Sequence, residues 1–189
     1  MPPTQLPPTQ LPPTRLPPES AVIVPVPEAE PAVGHLRSRL DPAAAEGVPA
    51  HVTVLYPFVP PALIDARVLA KAGEAVRTVP SFRARFTSVE WFGDQVVWLS
   101  PEPARAFAEL IIAVCERFPE YPPYGGVHAE VVPHLTVGDG APTAELRRAA
   151  ELVRGHLPIS TEVATAHVIC GSSEPGSWHT IAELPLGRR

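Results

Sequence analysis

The chain has 189 residues, 45% of them apolar, enough to bury the core of one domain or of two small lobes that share it. Its net charge of -5 excludes broad binding along a DNA or RNA backbone, which needs a basic surface. It leaves room for a local pocket that takes a nucleotide or an RNA end.

Residues 2–16 are three pentads, Pro-Pro-Thr-Gln-Leu twice and Pro-Pro-Thr-Arg-Leu once, followed by Pro17 and Pro18. Paired prolines remove backbone donors and favour polyproline II, so residues 1–19 are expected as a disordered tail outside the fold. A proline-recognising protein is the partner such a tail would suit.

Folding is expected from Ser20. Ala21–Val24 reads as a buried strand stopped by Pro25 and Pro27, and Val33, Leu36 and Leu40 give a helix over about residues 29–41. Asp41-Pro42 ends that helix. The stretch Pro49-Ala-His51-Val-Thr53-Val-Leu-Tyr56-Pro-Phe58 is then an apolar strand carrying one His and one Thr. Pro60-Pro61 opens a helix through about Val76. Ser81–Phe86 alternates, with Phe82, Ala84 and Phe86 on one face and Arg83 and Arg85 on the other. A further short strand is expected at Val89–Phe92, before the Gly93-Asp94 turn.

The order then repeats. Gln95–Leu99 is a strand stopped by Pro101 and Pro103, and Phe107, Leu110, Ile111, Val114 and Phe118 mark a helical stripe. A Tyr/Pro/Gly loop over residues 119–126 leads to Val131-Val-Pro-His134-Leu-Thr136-Val, the second His strand. Thr143, as N-cap, opens a helix to about Arg154. Ile159–Thr165, His167–Cys170 and Trp178–Leu184 close the chain as strands. The expectation is a duplicated, bilobal α+β fold: two antiparallel sheets around a central cleft, helices outside, lobes at about 20–94 and 95–186 with strand exchange allowed.

Side chains at i and i+2 of a strand share a face, so His51 stands beside Thr53 and His134 beside Thr136. Two imidazoles can supply one base and one acid near neutral pH, and each hydroxyl can donate to a phosphate oxygen. No carboxylate adjoins either His-Thr pair, so no metal or other cofactor is expected. Strict alternation puts Tyr56 on the face opposite His51, where core packing competes with base stacking for it and for Phe58. Tyr121 and Tyr124 sit beside the second motif and can wall a nucleoside. Arg83 and Arg85 are candidates for a substrate-facing basic patch. His35 and His156 are read as solvated, and His167 and His179 as structural. His128 lies in the loop before the second motif.

The paired motifs, with Gly47-Val-Pro-Ala-His-Val-Thr-Val-Leu-Tyr-Pro-Phe58 and Tyr121-Pro-Pro-Tyr-Gly-Gly126…Val132-Pro-His-Leu-Thr-Val137, resemble the two-histidine phosphoesterase superfamily, in its 2′-5′ RNA ligase-like branch. The resemblance covers about residues 20–186. It implies metal-free chemistry on 2′,3′-cyclic phosphates or 2′-5′ phosphodiesters of RNA ends and small nucleotides, reversible as ligation. By position it makes His51 and His134 the acid–base pair, with His51 as base, and Thr53 and Thr136 the phosphate binders. The chain departs from members that carry a basic residue after the second motif: it reads Val137-Gly138-Asp139-Gly140.

Two rivals share these residues. One is a non-catalytic nucleotide- or phosphate-binding module with the same cleft; the other is a metal-dependent hydrolase using His51, His134 and His128. The two cysteines, Cys115 and Cys170, have no metal spacing and are expected as buried thiols. No basic–apolar–small segment opens the sequence and no apolar run can span a bilayer, so a cytoplasmic monomer without membrane contact is expected.

Overall fold

The structure, a computed structural model, describes residues 18–127 and 131–188; the proline pentads and His128 fall outside the described residues. β1 (Glu19–Pro25), α1 (Glu30–Leu40), the single-turn α2 (Pro42–Ala45) and β2 (His51–Leu55) form the first unit. α3 (Ala66–Arg77) and β3 (Phe82–Phe92) follow. β4 (Val96–Glu102), α4 (Ala104–Arg117) and β5 (Leu135–Asp139) repeat the strand–helix–strand unit. α5 (Thr143–Arg154), β6 (Ile159–Val163), β7 (Thr165–Gly171) and β8 (His179–Pro185) complete the chain.

The strands form two antiparallel four-stranded sheets, ordered β2-β1-β7-β8 and β5-β4-β3-β6. The two sheets do not follow a division at residue 94. β3 crosses into the second sheet, and β7 and β8 return to the first. The helices cross as well: α1 packs on β5 and α4 packs on β2, so each half covers the other half's histidine strand. β2 and β5 are thereby brought beside each other. One continuous apolar core runs through both sheets, from Val22, Val52 and Val54 to Leu99, Leu135 and Val137. Phe107 of α4 joins it edge-on to Phe82, with ring centroids 5.0 Å apart.

Several boundaries differ from the sequence reading, each for a local reason. Pro60-Pro61 opens only a 3-10 turn (Pro61–Leu63); α3 starts later, where the Asp65 carboxylate accepts from the backbone N–H groups of Arg67 and Val68. Val89–Phe92 is no separate strand but the second half of β3, continuous through a register shift between Phe86 and Ser88. β4 runs through Pro101, a position where the ladder shows the same shift. Thr143 is the first helical residue of α5, after Pro142; its hydroxyl makes no cap and donates to the Asp94 carbonyl at 3.5 Å. His134 precedes β5 by one residue rather than lying within it. Cys115 and Cys170 are both half-buried.

Candidate active site

His51 opens β2, and its Nδ1 lies 2.7 Å from the carbonyl oxygen of Pro49, two residues back. His134 repeats this geometry with Val132, also at 2.7 Å. A carbonyl only accepts, so in both rings the Nδ1 position carries a proton and donates it. In each neutral ring Nε2 is therefore the unprotonated nitrogen, the one able to take up a proton. The Thr53 hydroxyl donates to Nε2 of His51 at 3.1 Å, whereas Nε2 of His134 has no protein partner among the described residues. Both imidazoles and both threonines line one cleft of about 280 Å³.

The register of each histidine strand explains what else reaches the cleft. Along β2, Thr53 is opposite Ile23 but Leu55 is opposite Val22, so Val54 is an extra, bulged residue. Along β5, Thr136 is opposite Trp98 but Gly138 is opposite Val97, so Val137 is bulged in the same way. A bulge reverses the alternation beyond it. Tyr56, expected on the face away from His51, therefore faces the cleft beside it, and Asp139 does so beside His134. The Tyr56 hydroxyl donates to Glu19 at 2.7 Å; burial and that contact hold its phenol well above the ordinary range.

The two imidazoles stand in different fields. Burial and then the positive charge of Arg37 push His51 down to about 4, against the favourable Pro49 carbonyl. Arg37 is itself buried and ion-paired to Asp41 at 2.9 Å, and it donates to the Val48 carbonyl at 3.2 Å. Burial also lowers His134, but there the opposing influences are the Val132 carbonyl and the negative charge of Asp139. The burial comes from Phe92 and Trp98, stacked at 4.7 Å, whose rings meet the His134 ring edge-on at 5.0 and 5.7 Å. His51 is thus held neutral, and His134 is the imidazole that the surroundings favour more as a cation.

Tyr124 reaches the cleft from the loop before the second motif. Its backbone is left-handed (φ 50°), and its N–H donates to the Tyr56 carbonyl at 2.6 Å. That conformation is uncommon for a bulky residue, and here it aims the phenol at Thr53, to which it is hydrogen-bonded. Tyr121 instead packs against the main core, and Phe58 is buried against Phe118 at 4.9 Å. Sequence reasoning missed Trp178. It stands at the mouth of β8 over a small apolar floor of Ala21, Ile23, Val48 and Ile169, 6.4 Å from the Tyr56 ring. Gly171 admits it: a Cβ there would lie 2.5 Å from the indole Cγ. The only sequence signal was an aromatic residue directly after a Gly/Ser/Pro turn.

Arg83 and Arg85 do alternate outward from buried Phe82, Ala84 and Phe86, but they do not line the histidine cleft. They lie in a separate, wider depression of about 780 Å³ between β3 and β6, where Glu28, Glu102 and Glu162 face them and Arg85 approaches Glu102 at 3.7 Å. The two arginines there face carboxylates and lie apart from both imidazoles, so they are not part of the histidine cleft. His35 and His156 are exposed, His167 faces Thr180 at 3.4 Å, and Nε2 of His179 lies 3.6 Å from the Cys170 sulfur. Among the described residues no three His, Cys, Asp or Glu side chains are grouped to hold a metal, and no helix is long and apolar enough to cross a membrane.

Two crossed strand–helix–strand units, each presenting a His-x-Thr to a common cleft, define a two-histidine phosphoesterase. The sequence over residues 25–172 matches the profile of the 2′-5′ RNA ligase superfamily, and the chain belongs to that family. Its fold is similar to that of TT0787 from Thermus thermophilus (TM-score 0.63, 19% identity, 90% of this chain and 99% of that one). It is also similar to E. coli LigT crystallised with 3′-AMP (TM-score 0.58, 16% identity, 90% and 99%) and to a protein described as a phosphoesterase (0.58, 16%, 91% and 100%). No curated protein matches the sequence.

Proposed function

We propose that the protein is a metal-independent phosphodiesterase acting on 2′,3′-cyclic phosphate or 2′-5′ phosphodiester ends of RNA or small nucleotides, running in reverse as a 2′-5′ ligase. The observation that carries this reading is the pair of imidazoles in one cleft, each with Nδ1 tied to the carbonyl two residues back and Nε2 left for proton transfer. In hydrolysis, Nε2 of neutral His51 takes a proton from water as its oxygen bonds to phosphorus. The P–O bond to the leaving ribose oxygen breaks, and Nε2–H of His134 protonates that oxygen. As the ligand enters, the Thr53 hydroxyl turns its proton from Nε2 of His51 to one non-bridging oxygen, Thr136 donates to the other, and the two hold the phosphorus in line. The Arg37 charge beside His51 and the Asp139 charge beside His134 favour this division of roles over its reverse. Support for a nucleotide ligand comes from the fold relative LigT, crystallised with 3′-AMP and with ATP.

The test is turnover of nucleoside 2′,3′-cyclic phosphates and a 2′-5′ dinucleotide with EDTA present, by the wild type, His51→Ala and His134→Ala. Hydrolysis that survives EDTA and falls by about 10²–10⁴ in each variant is expected. Ligand binding without turnover in the wild type would instead identify a binding module.

A further inference from the structure

Away from its histidines the cleft has a second kind of surface. Ile23 lies opposite Thr53 across β1 and β2, and Ala21 lies opposite Ile169 across β1 and β7. An apolar floor thus starts beside the first His-Thr pair and runs outward, separate from the main core and flanked by the rings of Tyr56 and Trp178. The Tyr56 hydroxyl is tied to Glu19 at 2.7 Å, which holds that ring in one orientation. Glu46 stands at the same end. Its carbonyl accepts from the Trp178 N–H at 3.0 Å, and its charge is one of those that hold the Tyr56 phenol high. The Glu46 side chain is half-buried and lines the cleft, yet it makes no hydrogen bond or ion pair among the described residues. The other two lining carboxylates are placed differently: Asp41 is bound to Arg37 at 2.9 Å and to the Ala43 N–H, and Asp139 stands beside His134.

An apolar floor between two aromatic rings suits a flat heteroaromatic ring, and in a nucleotide that ring is the base. Glu46 then decides which base fits. An ionised carboxylate only accepts, and its two oxygens match two neighbouring donors. Among the four RNA bases guanine alone offers such a pair, N1–H and the 2-amino group, on its Watson–Crick edge. Adenine sets its amino group beside the acceptor N1, cytosine sets its own beside the acceptor N3, and uracil has one N–H between two carbonyls. From the juxtaposition of the apolar floor, Tyr56 and Trp178 with the unpaired Glu46 carboxylate, we infer that Glu46 reads the base of the bound nucleotide and that the cleft prefers guanine. The inference rests on the nucleotide ligand of the reading above and adds to it the residue that sets base specificity.

The experiment is calorimetry of the full chain at pH 8 with the 3′-monophosphates of guanosine, inosine and adenosine. These ligands contain no diester, so binding is read whether or not the protein turns anything over. All three bear the same phosphate, so its interactions with the imidazoles and carboxylates cancel in the comparison. The guanosine ligand is expected to bind about tenfold more tightly than the adenosine ligand, with the inosine ligand, which lacks the 2-amino group, between them. In Glu46→Gln the carboxamide offers one acceptor and one donor, the pattern that adenine complements, so the preference should turn toward adenine. The backbone carbonyl that holds Trp178 is untouched by this substitution. Equal binding of the three ligands by the wild type would overturn the inference, as would a guanine preference that survives in Glu46→Gln; turnover of cyclic phosphates in EDTA would then leave the phosphodiesterase standing. A guanine preference that Glu46→Gln abolishes, in a protein that turns over no cyclic phosphate, would keep this inference and sink the hydrolase. Failure of all three ligands to bind, with a native circular dichroism spectrum, would overturn it.

Discussion

Tyr56 and Asp139 are equivalent residues: each stands five positions after its histidine and three after its threonine, and each is turned into the cleft by one bulged valine, Val54 or Val137. The duplicated backbone thus delivers a phenol to one side of the cleft and a carboxylate to the other. Because the histidines are otherwise alike, down to the same 2.7 Å bond to a carbonyl two residues back, this pair helps break the symmetry of the site. Asp139 favours the charged form of His134, while Arg37 disfavours that of His51.

The pH profile should show this asymmetry. The profile of kcat/KM reports the free enzyme, so its acid limb should follow His51 near 4, and its alkaline limb should follow His134 at a value below the ordinary 6.5. In Asp139→Asn the charge that favours imidazolium is gone, and the alkaline limb should move further toward acid while the acid limb stays. A limb that moves toward alkali in this variant would contradict the assignment of His134 as the acid.

His51 also links the site to stability. Its folded value, about 4, lies below its ordinary 6.5, so protonation favours the unfolded chain. The stability it contributes is complete above about 6.5 and is lost as pH falls through that window toward about 4. Urea midpoints measured from pH 4 to 7 should therefore fall less steeply toward acid in His51→Gln than in the wild type. Parallel curves would show that His51 titrates normally.

The two His-Thr pairs could be read from the sequence because i and i+2 share a strand face whatever the rest of the fold does. Tyr56 could not be placed, since a one-residue bulge reverses alternation and leaves no mark in hydrophobic pattern: Val54 and Leu55 are both buried, as any apolar pair would be. Trp178 escaped notice for a topological reason. It joins the first sheet only because β7 and β8 return across the molecule, a long-range exchange that local periodicity does not encode. For Arg83 and Arg85 the alternation was right and the location was not, because β3 crosses to the second sheet and pairs with β6.

Tyr124 offers a test of positioning without a change of fold. Its hydroxyl is hydrogen-bonded to Thr53, which in turn donates to His51 at 3.1 Å. Tyr124→Phe keeps the ring and its left-handed backbone and removes only that hydroxyl. One net hydrogen bond of about 0.5–1.5 kcal/mol corresponds to a fall in kcat/KM of about 2–10-fold. The thermal midpoint should stay within the small range of a surface change. An unchanged kcat/KM would show that Thr53 needs no orienting partner.

Gly138 fixes how closely the second histidine strand can approach α1, and with it the position of Asp139. A Cβ at residue 138 would lie 2.6 Å from Leu146 Cδ2 and 3.0 Å from Leu40 Cβ, both in the core. Leu146 can turn its side-chain tip, but the Leu40 Cβ is fixed to the backbone of α1, so β5 or α1 must shift. Gly138→Ala should cost about 1–3 kcal/mol, as overpacking does. For a domain of this size that is a drop of roughly 2–4 °C in Tm per kcal/mol. A shift of β5 against α1 also changes the distance between Asp139 and Asp41, whose negative charge raises the Asp139 carboxyl, so the alkaline limb of kcat/KM should move along with the melting temperature. A variant as stable as the wild type, with an unaltered alkaline limb, would show that β5 tolerates the methyl group and that the approach to α1 does not set the field at His134.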